Sequence, residues 1–259
     1  MQPRDVWDYP GRSVGRQVLV FDRVDSTNSL AASLIGQPDS NGLALLADEQ
    51  TAGRGQHGRN WVAPPRSSVL LSVLLFPPPE LRRPVLLTAW AAVAVCEVVR
   101  ETTGIQPRIK WPNDVFLRGR KVCGILIELS QQGSTPAVVA GIGLNVTQTE
   151  EQLAAAGLPL ATSLQAGAAA HVNRDTVARA LLARLNEEYE QLCGGERVVL
   201  EACWKWHLGL LGRDVWAECA DGTCQGRLLD MGFDGVVLSL PHLGTVVLPP
   251  ETIQHLERA

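Results

Sequence analysis

Gly53-Arg54-Gly55-Gln56-His57-Gly58-Arg59-Asn60-Trp61 is the stretch on which the fold turns. Its first six residues satisfy GxGxxG, the pattern of a dinucleotide-binding turn. That turn needs a helix directly after it, so that pyrophosphate can sit on the helix N-terminus. Here the chain continues Asn60-Trp61-Val62-Ala63-Pro64-Pro65, and two prolines forbid a helix interior. Residues 54, 56 and 57 are also bulky and polar, unlike a tight turn. A Rossmann domain is therefore set aside. The stretch reads instead as a flexible, locally cationic loop. Glycine lets backbone approach a ligand closely, and arginine offers a forked donor to carboxylate or phosphate oxygens. The plainer alternative is a solvated hairpin tip, since Gly-rich surface loops are common.

Upstream of the loop, residues 17–21 predict a first strand. Ser26-Thr27-Asn28 offers a helix cap before residues 29–34, and residues 43–47 form a short apolar run. Downstream, residues 68–76 are rich in Val and Leu and read as a buried strand ended by Pro77-Pro78-Pro79. An Ala- and Val-rich helix follows over residues 82–101, stopped by Gly104. Further strands are expected at 108–111, 115–117, 122–129 and 137–141, while 149–171 carries weak order signals. Asn173 caps an amphipathic helix reaching Leu192, and 196–207 predicts one more. After Gly212, short strands at 215–219, 225–229, 236–240 and 245–248 are separated by turns such as Asp221-Gly222 and Asp234-Gly235. Their spacing predicts a small β-barrel of about fifty residues appended to an α+β domain.

Composition narrows the function classes. The 259 residues suffice for one large domain, or one large and one small. A hydrophobic share of 46% is that of a folded globular chain. The net charge of −4 argues against general nucleic-acid binding, which needs a basic face. No apolar run approaches bilayer-spanning length, and residues 1–8 carry no signal-peptide core, so a cytoplasmic protein without a membrane partner is expected. The six cysteines show no CxxC and no paired metal spacing, as expected of small, buried or partly buried thiols.

Three further segments carry chemistry. Lys110-Trp111-Pro112-Asn113-Asp114 sets a cation, an amide and a carboxylate beside a proline-stiffened turn. Eleven residues past Lys110, Lys121 opens a strand, and hairpin geometry can bring both lysines and Asp114 into one pocket. Turn chemistry alone also explains Asn113-Asp114, and a solvated edge charge explains Lys121. Gly141-Ile142-Gly143-Leu144-Asn145 ends a strand with small residues, which lets a ligand lie on the backbone or marks a bulge.

Taken together, Ser26-Thr27-Asn28, Glu49-Gln50-Thr51-Ala52-Gly53-Arg54-Gly55, Lys110-Trp111-Pro112-Asn113-Asp114, Lys121-Val122-Cys123-Gly124-Ile125 and Gly141-Ile142-Gly143-Leu144-Asn145 resemble, in order and spacing, the motifs of biotin protein ligases. The resemblance covers about residues 15–259. It implies a catalytic domain over 15–208 with a mixed sheet like that of class II aminoacyl-tRNA synthetases. A tail over 1–14 precedes it, and an SH3-like domain over 209–259 follows. The implied reaction joins biotin and ATP into biotinyl-5′-AMP and pyrophosphate, then moves biotin to a lysine of a biotin carboxyl carrier domain.

Lys121, Arg54 and Asp114 are the implied catalytic residues, with Lys121 on the biotin carboxylate and the transferring phosphoryl group. The implied biotin pocket is Ser26, Thr27, Asn28, Gln50, Gly53, Arg54, Gly55, Gln56, Lys121, Gly124, Gly141 and Gly143. Arg59, Lys110, Asn113, Asn145 and Trp61 are the implied nucleotide residues; Trp61 either covers adenine or packs in the core. Mg²⁺ is an implied cofactor, and Asp114 either holds it or orients the acceptor lysine. Two departures stand out. The first strand near residue 17 leaves no room for the helix-turn-helix of ligases that double as repressors, so no DNA partner is expected of this monomer or homodimer. Gln56 stands where many relatives have arginine. Two other readings remain: a lipoate or octanoate transferase of the same fold, which would lack the glycine-arginine loop, and a non-catalytic biotin- or nucleotide-sensing module.

Overall fold

The sheet begins before the first expected strand. In the computed structural model, which describes residues 2–132, 135–241 and 243–259, strand β1 (Asp5–Asp8) pairs antiparallel with β2 (Gln17–Val24). Trp7 lies opposite Val18 and is buried, which fixes the short edge strand despite its two flanking aspartates. Ser26 caps helix α1 (Thr27–Ser33) by accepting from the backbone of Ser29, as its residue type leads one to expect. Strand β3 (Leu43–Gln50) runs parallel to β2, and every other pairing in this sheet is antiparallel. Strand β4 (Ser68–Leu75) is buried along its whole length.

Helix α2 (Pro84–Thr103) closes on Gly104, whose φ of 69° is the left-handed cap that glycine adopts freely. Strands β5 (Arg108–Lys110), β6 (Asp114–Leu117), β7 (Arg120–Gln132) and β8 (Thr135–Asn145) complete an eight-stranded mixed sheet in the order β1-β2-β3-β4-β8-β7-β6-β5. The weakly patterned region holds two short helices, α3 (Glu150–Ala155) and α4 (Leu164–Ala168). Thr149 and Gln152 form a reciprocal capping box at α3, which sustains a helix too short for hydrophobic periodicity to reveal. Helix α5 (Arg174–Cys193) starts on its Asn173 cap, and α6 (Arg197–Leu208) follows. Helices α2, α5 and α6 cover one face of the sheet in a core around Trp90, Leu181 and Trp204. On the other face α1 packs Ala31 over Phe21, Leu45 and Leu70, and next to it the binding cleft opens.

The C-terminal strands β9 (Asp214–Cys219), β10 (Gly222–Met231), β11 (Val236–Leu240), β12 (Gly244–Leu248) and β13 (Ile253–Arg258) form an antiparallel sheet in the order β12-β11-β10-β9-β13. The expected barrel does not close: β12 and β13 lie at opposite edges, with no ladder between them among the described residues. Pro249 and Pro250 lack the N–H groups that could extend a ladder, and the short 3₁₀ turn Pro250–Thr252 sends β13 back to β9. The small sheet is anchored to the large one where buried Trp111 donates from Nε1 to the carbonyl of Ile253 at 2.9 Å.

Candidate active site

Two adjoining cavities open above the sheet and share Gly55, Gln56, Trp61, Asn113 and Lys121 as a common wall. The first, about 60 Å³, is floored by Gly124, Leu126, Gly141 and Gly143 and ends against α1. The second, about 480 Å³, is lined by Arg59, Lys110, Asp114 and Asn145 from the large sheet's side, and by Gln254 and His255 of β13.

The glycine-arginine loop is folded as a hairpin. Arg54 and Asn60 form a bridge, Gly55 N donates to Arg59 O at 2.7 Å, and Trp61 N donates to Gly53 O at 2.9 Å. Gly53, expected in the biotin pocket, does not line the first cavity. A Cβ there would lie 2.5 Å from the Trp61 carbonyl oxygen, so this glycine serves the hairpin. Arg54 forms an ion pair with Glu128 of β7. Arg59 has no ion-pair partner among the described residues and lines the larger cavity.

Gly141 and Gly143 are not a bulge, for the β8 register with β4 and β7 is unbroken across them. They make room for side chains. A Cβ on Gly141 would stand 2.2 Å from Asn28 Oδ1, and one on Gly143 would stand 2.5 Å from Trp61 Cε2. The Trp61 indole therefore lies on the β8 backbone between the two cavities, and its buried Nε1 has no hydrogen-bond partner among the described residues.

At the α1 end, Gln50 Oε1 accepts from Thr27 N at 2.7 Å and from Thr27 Oγ1 at 2.9 Å. Ser72 Oγ lies 2.7 Å from Thr27 Oγ1 and 2.5 Å from Asn28 Oδ1. Asn28 Nδ2 donates to Glu128 Oε2 at 2.8 Å. A polar chain thus runs from Gln50 through Thr27, Ser72 and Asn28 to Glu128 and Arg54. Ser72 and Glu128 were not among the expected site residues. Each does carry a signal, being a polar group in a strand of apolar residues that must find a partner.

At the other end, Lys121 Nζ pairs with Asp114 Oδ1 at 2.7 Å. Lys110, expected nearby, lines the same cavity and stands 3.7 Å from Glu257 of β13. Asn113 Nδ2 donates to the carbonyl of Ile125 at 2.7 Å, which ties the proline-stiffened turn to β7. Asn145 also lines the larger cavity, and its amide is held from inside the protein. Its Nδ2 donates to Thr162 O at 3.1 Å and its Oδ1 accepts from Gln148 Nε2 at 3.0 Å. Burial pushes the Cys123 thiol well up, in spite of nearby Lys121, so this buried cysteine stays a neutral thiol. No three His, Cys, Asp or Glu side chains converge on a common point among the described residues, and Asp114 is already paired with Lys121. These residues do not fit a metal held by protein ligands alone.

A model of the biotin/lipoate A/B protein ligase family matches residues 20–145. The chain is 36% identical to the biotin–[acetyl-CoA-carboxylase] ligase of Mycobacterium tuberculosis, over 86% of this chain and 87% of that one. The chain belongs to the biotin/lipoate A/B protein ligase family. As a member of that family it is also 31% identical to the bifunctional ligase/repressor BirA of Bacillus subtilis, over 87% of this chain and 70% of that one. Its fold is that of the biotin protein ligase from Aquifex aeolicus solved in complex with biotin and ATP. The TM-score is 0.74 at 28% identity, covering 93% of this chain and 99% of that one. The mixed sheet followed by a C-terminal antiparallel sheet matches that fold.

Proposed function

We propose that this chain is a biotin–protein ligase that makes biotinyl-5′-AMP from biotin and ATP and transfers biotin to a lysine of a carboxylase carrier domain. The observation that carries this reading is the shared wall: one cavity rich in amide and hydroxyl groups meets a second rimmed by Arg59 and Lys110, with the Lys121 cation at their junction. Support also comes from the ligase of Mycobacterium tuberculosis and the Aquifex aeolicus complex with biotin and ATP.

The polar chain of Thr27, Asn28 and Gln50 suits the ureido ring, whose donors and acceptors need buried partners to be told from look-alikes. The biotin carboxylate then points at Lys121. In the first step a carboxylate oxygen attacks the α-phosphorus, the bond to the β-phosphate oxygen breaks, and pyrophosphate leaves. Two anions approach each other, so Lys121, Arg54 and Arg59 must neutralise charge that grows in the transition state. In the second step the acceptor amine attacks the anhydride carbonyl, AMP departs with the electron pair, and the amine loses a proton. Asp114, beside Lys121 on the nucleotide side, orients that amine.

Trp61 and Arg54 both line the first cavity, and their packing over the adenylate excludes water from the mixed anhydride. The reading places the protein in the cytoplasm, and its net charge of −4 gives DNA no role in it. Among the described residues no helix is long and apolar enough to cross a membrane. ATP–pyrophosphate exchange is the test: exchange that depends on biotin, and not on lipoate or octanoate, supports the reading. Exchange driven by lipoate alone overturns it.

A further inference from the structure

Glu128 stands in β7 among apolar residues, yet its carboxylate oxygen Oε2 serves two partners from two other elements. It takes the guanidinium of Arg54 from the loop and the amide of Asn28 from α1, at 2.8 Å for the latter. A carboxylate only accepts, so Asn28 has to present its NH₂ to Glu128 and turn Oδ1 toward Ser72, 2.5 Å away. The amide packs directly on the Gly141 backbone, so the choice left to it is which end faces Glu128. Among the described residues, the same oxygen tethers a loop that otherwise closes on its own backbone bonds and the Trp61 ring.

We propose that Glu128 is a positioning residue: it sets the hydrogen-bond polarity of Asn28 and holds Arg54 against the floor of the first cavity, so that the ureido end and the anionic end of biotin meet groups already placed. The proposal rests on the ligase reading given above. Glu128→Gln keeps the size and loses both the charge and the acceptor-only character, since an amide can itself donate and can flip. Hydrogen bonds to charged groups are the stronger ones, so the apparent KM for biotin is expected to rise about tenfold. The KM for ATP should stay close to wild type, while kcat should fall because Arg54, which neutralises charge in the transition state, is held less firmly.

The test has two arms. Steady-state pyrophosphate exchange is measured for wild type, Glu128→Gln, Asn28→Ala and the double variant. Hydrogen exchange of residues 53–61 is measured on the ligand-free wild type and Glu128→Gln proteins. A biotin-selective rise in KM that shrinks in the Asn28→Ala background, with faster loop exchange in Glu128→Gln, supports the assignment. An unchanged biotin KM, a rise of equal size in the Asn28→Ala background, or unchanged loop exchange overturns it. Absence of any biotin-dependent exchange in the wild type would instead refute the ligase reading, and the ligand-free arm would still decide the tether.

Discussion

Lys121→Met keeps the length of the side chain and removes its charge, which separates what this lysine does for the fold from what it does for chemistry. The Lys121–Asp114 pair is 2.7 Å long, with the two side chains 34% and 22% exposed. Part-exposed pairs of this kind are worth about 0–1 kcal/mol. In a chain of this size that lowers the melting temperature by at most a few degrees. Removing a charged donor from a developing oxyanion costs far more, about 10²–10³ in rate or about 2.7–4 kcal/mol. The rate loss should therefore exceed the stability loss several-fold. Asp114→Asn is the control: it breaks the same pair and keeps the cation, so it should lose the same stability and much less adenylation. Thermal melts and biotin-dependent pyrophosphate exchange on the three proteins read both quantities. Near-normal exchange in a folded Lys121→Met protein would refute the placement of Lys121 at the reacting groups.

Gly143→Ala puts a methyl 2.5 Å from Trp61 Cε2, where carbon atoms prefer about 3.5–4.0 Å, so the ring must retreat by about 1 Å. The expected cost is about 1–3 kcal/mol in chemical melts, with KM raised for both ligands because the indole walls both cavities; equal KM values would show that the ring is a bystander. His207 is buried, with Nε2 3.3 Å from Glu97 Oε1 and Nδ1 3.2 Å from Gln106 Nε2. Burial pushes its pKa down, against the Pro107 carbonyl and Glu97, so protons favour the unfolded chain. Its contribution is complete above the unfolded value of about 6.5 and is lost as the pH falls through that value toward the lower folded one. Melting temperatures of His207→Gln should therefore vary less than wild type between about pH 7 and about pH 5.5, and parallel curves would contradict this. Gln56 lines both cavities as a neutral amide. Charged donors bind anions about twice as strongly, so Gln56→Arg should slow the release of preformed radiolabelled adenylate, and equal off-rates would show that position 56 is neutral.

Much of the large sheet was legible because its strands and helices carry their own punctuation: Ser26 and Asn173 at helix starts, Gly104 at a stop, Pro77 after the buried strand. Strand β13 was not, because an irregularity between Ile253 and His255 breaks the period-two alternation by which strands are recognised. The cavities gather most of the expected residues since chemistry concentrated them in motifs: Lys121 and Asp114 meet, as hairpin geometry allows. Gly141 and Gly143 were legible as places of close approach, while what approaches them in this structure, Asn28 and Trp61, is a matter of tertiary packing. Ser72 and Glu128 escaped for the same reason. Each is a polar residue with apolar neighbours on both sides in its strand, and its partners at Thr27 and Asn28 lie 44 or more positions away in sequence.

Transfer of labelled biotin to a purified carboxylase carrier domain in the presence of ATP tests the central claim most directly. The expected result is one biotin per carrier, joined through an amide to a single lysine, dependent on ATP and abolished when that lysine is replaced by arginine. A carrier left unlabelled by biotin but acylated by lipoate or octanoate under the same conditions would contradict it.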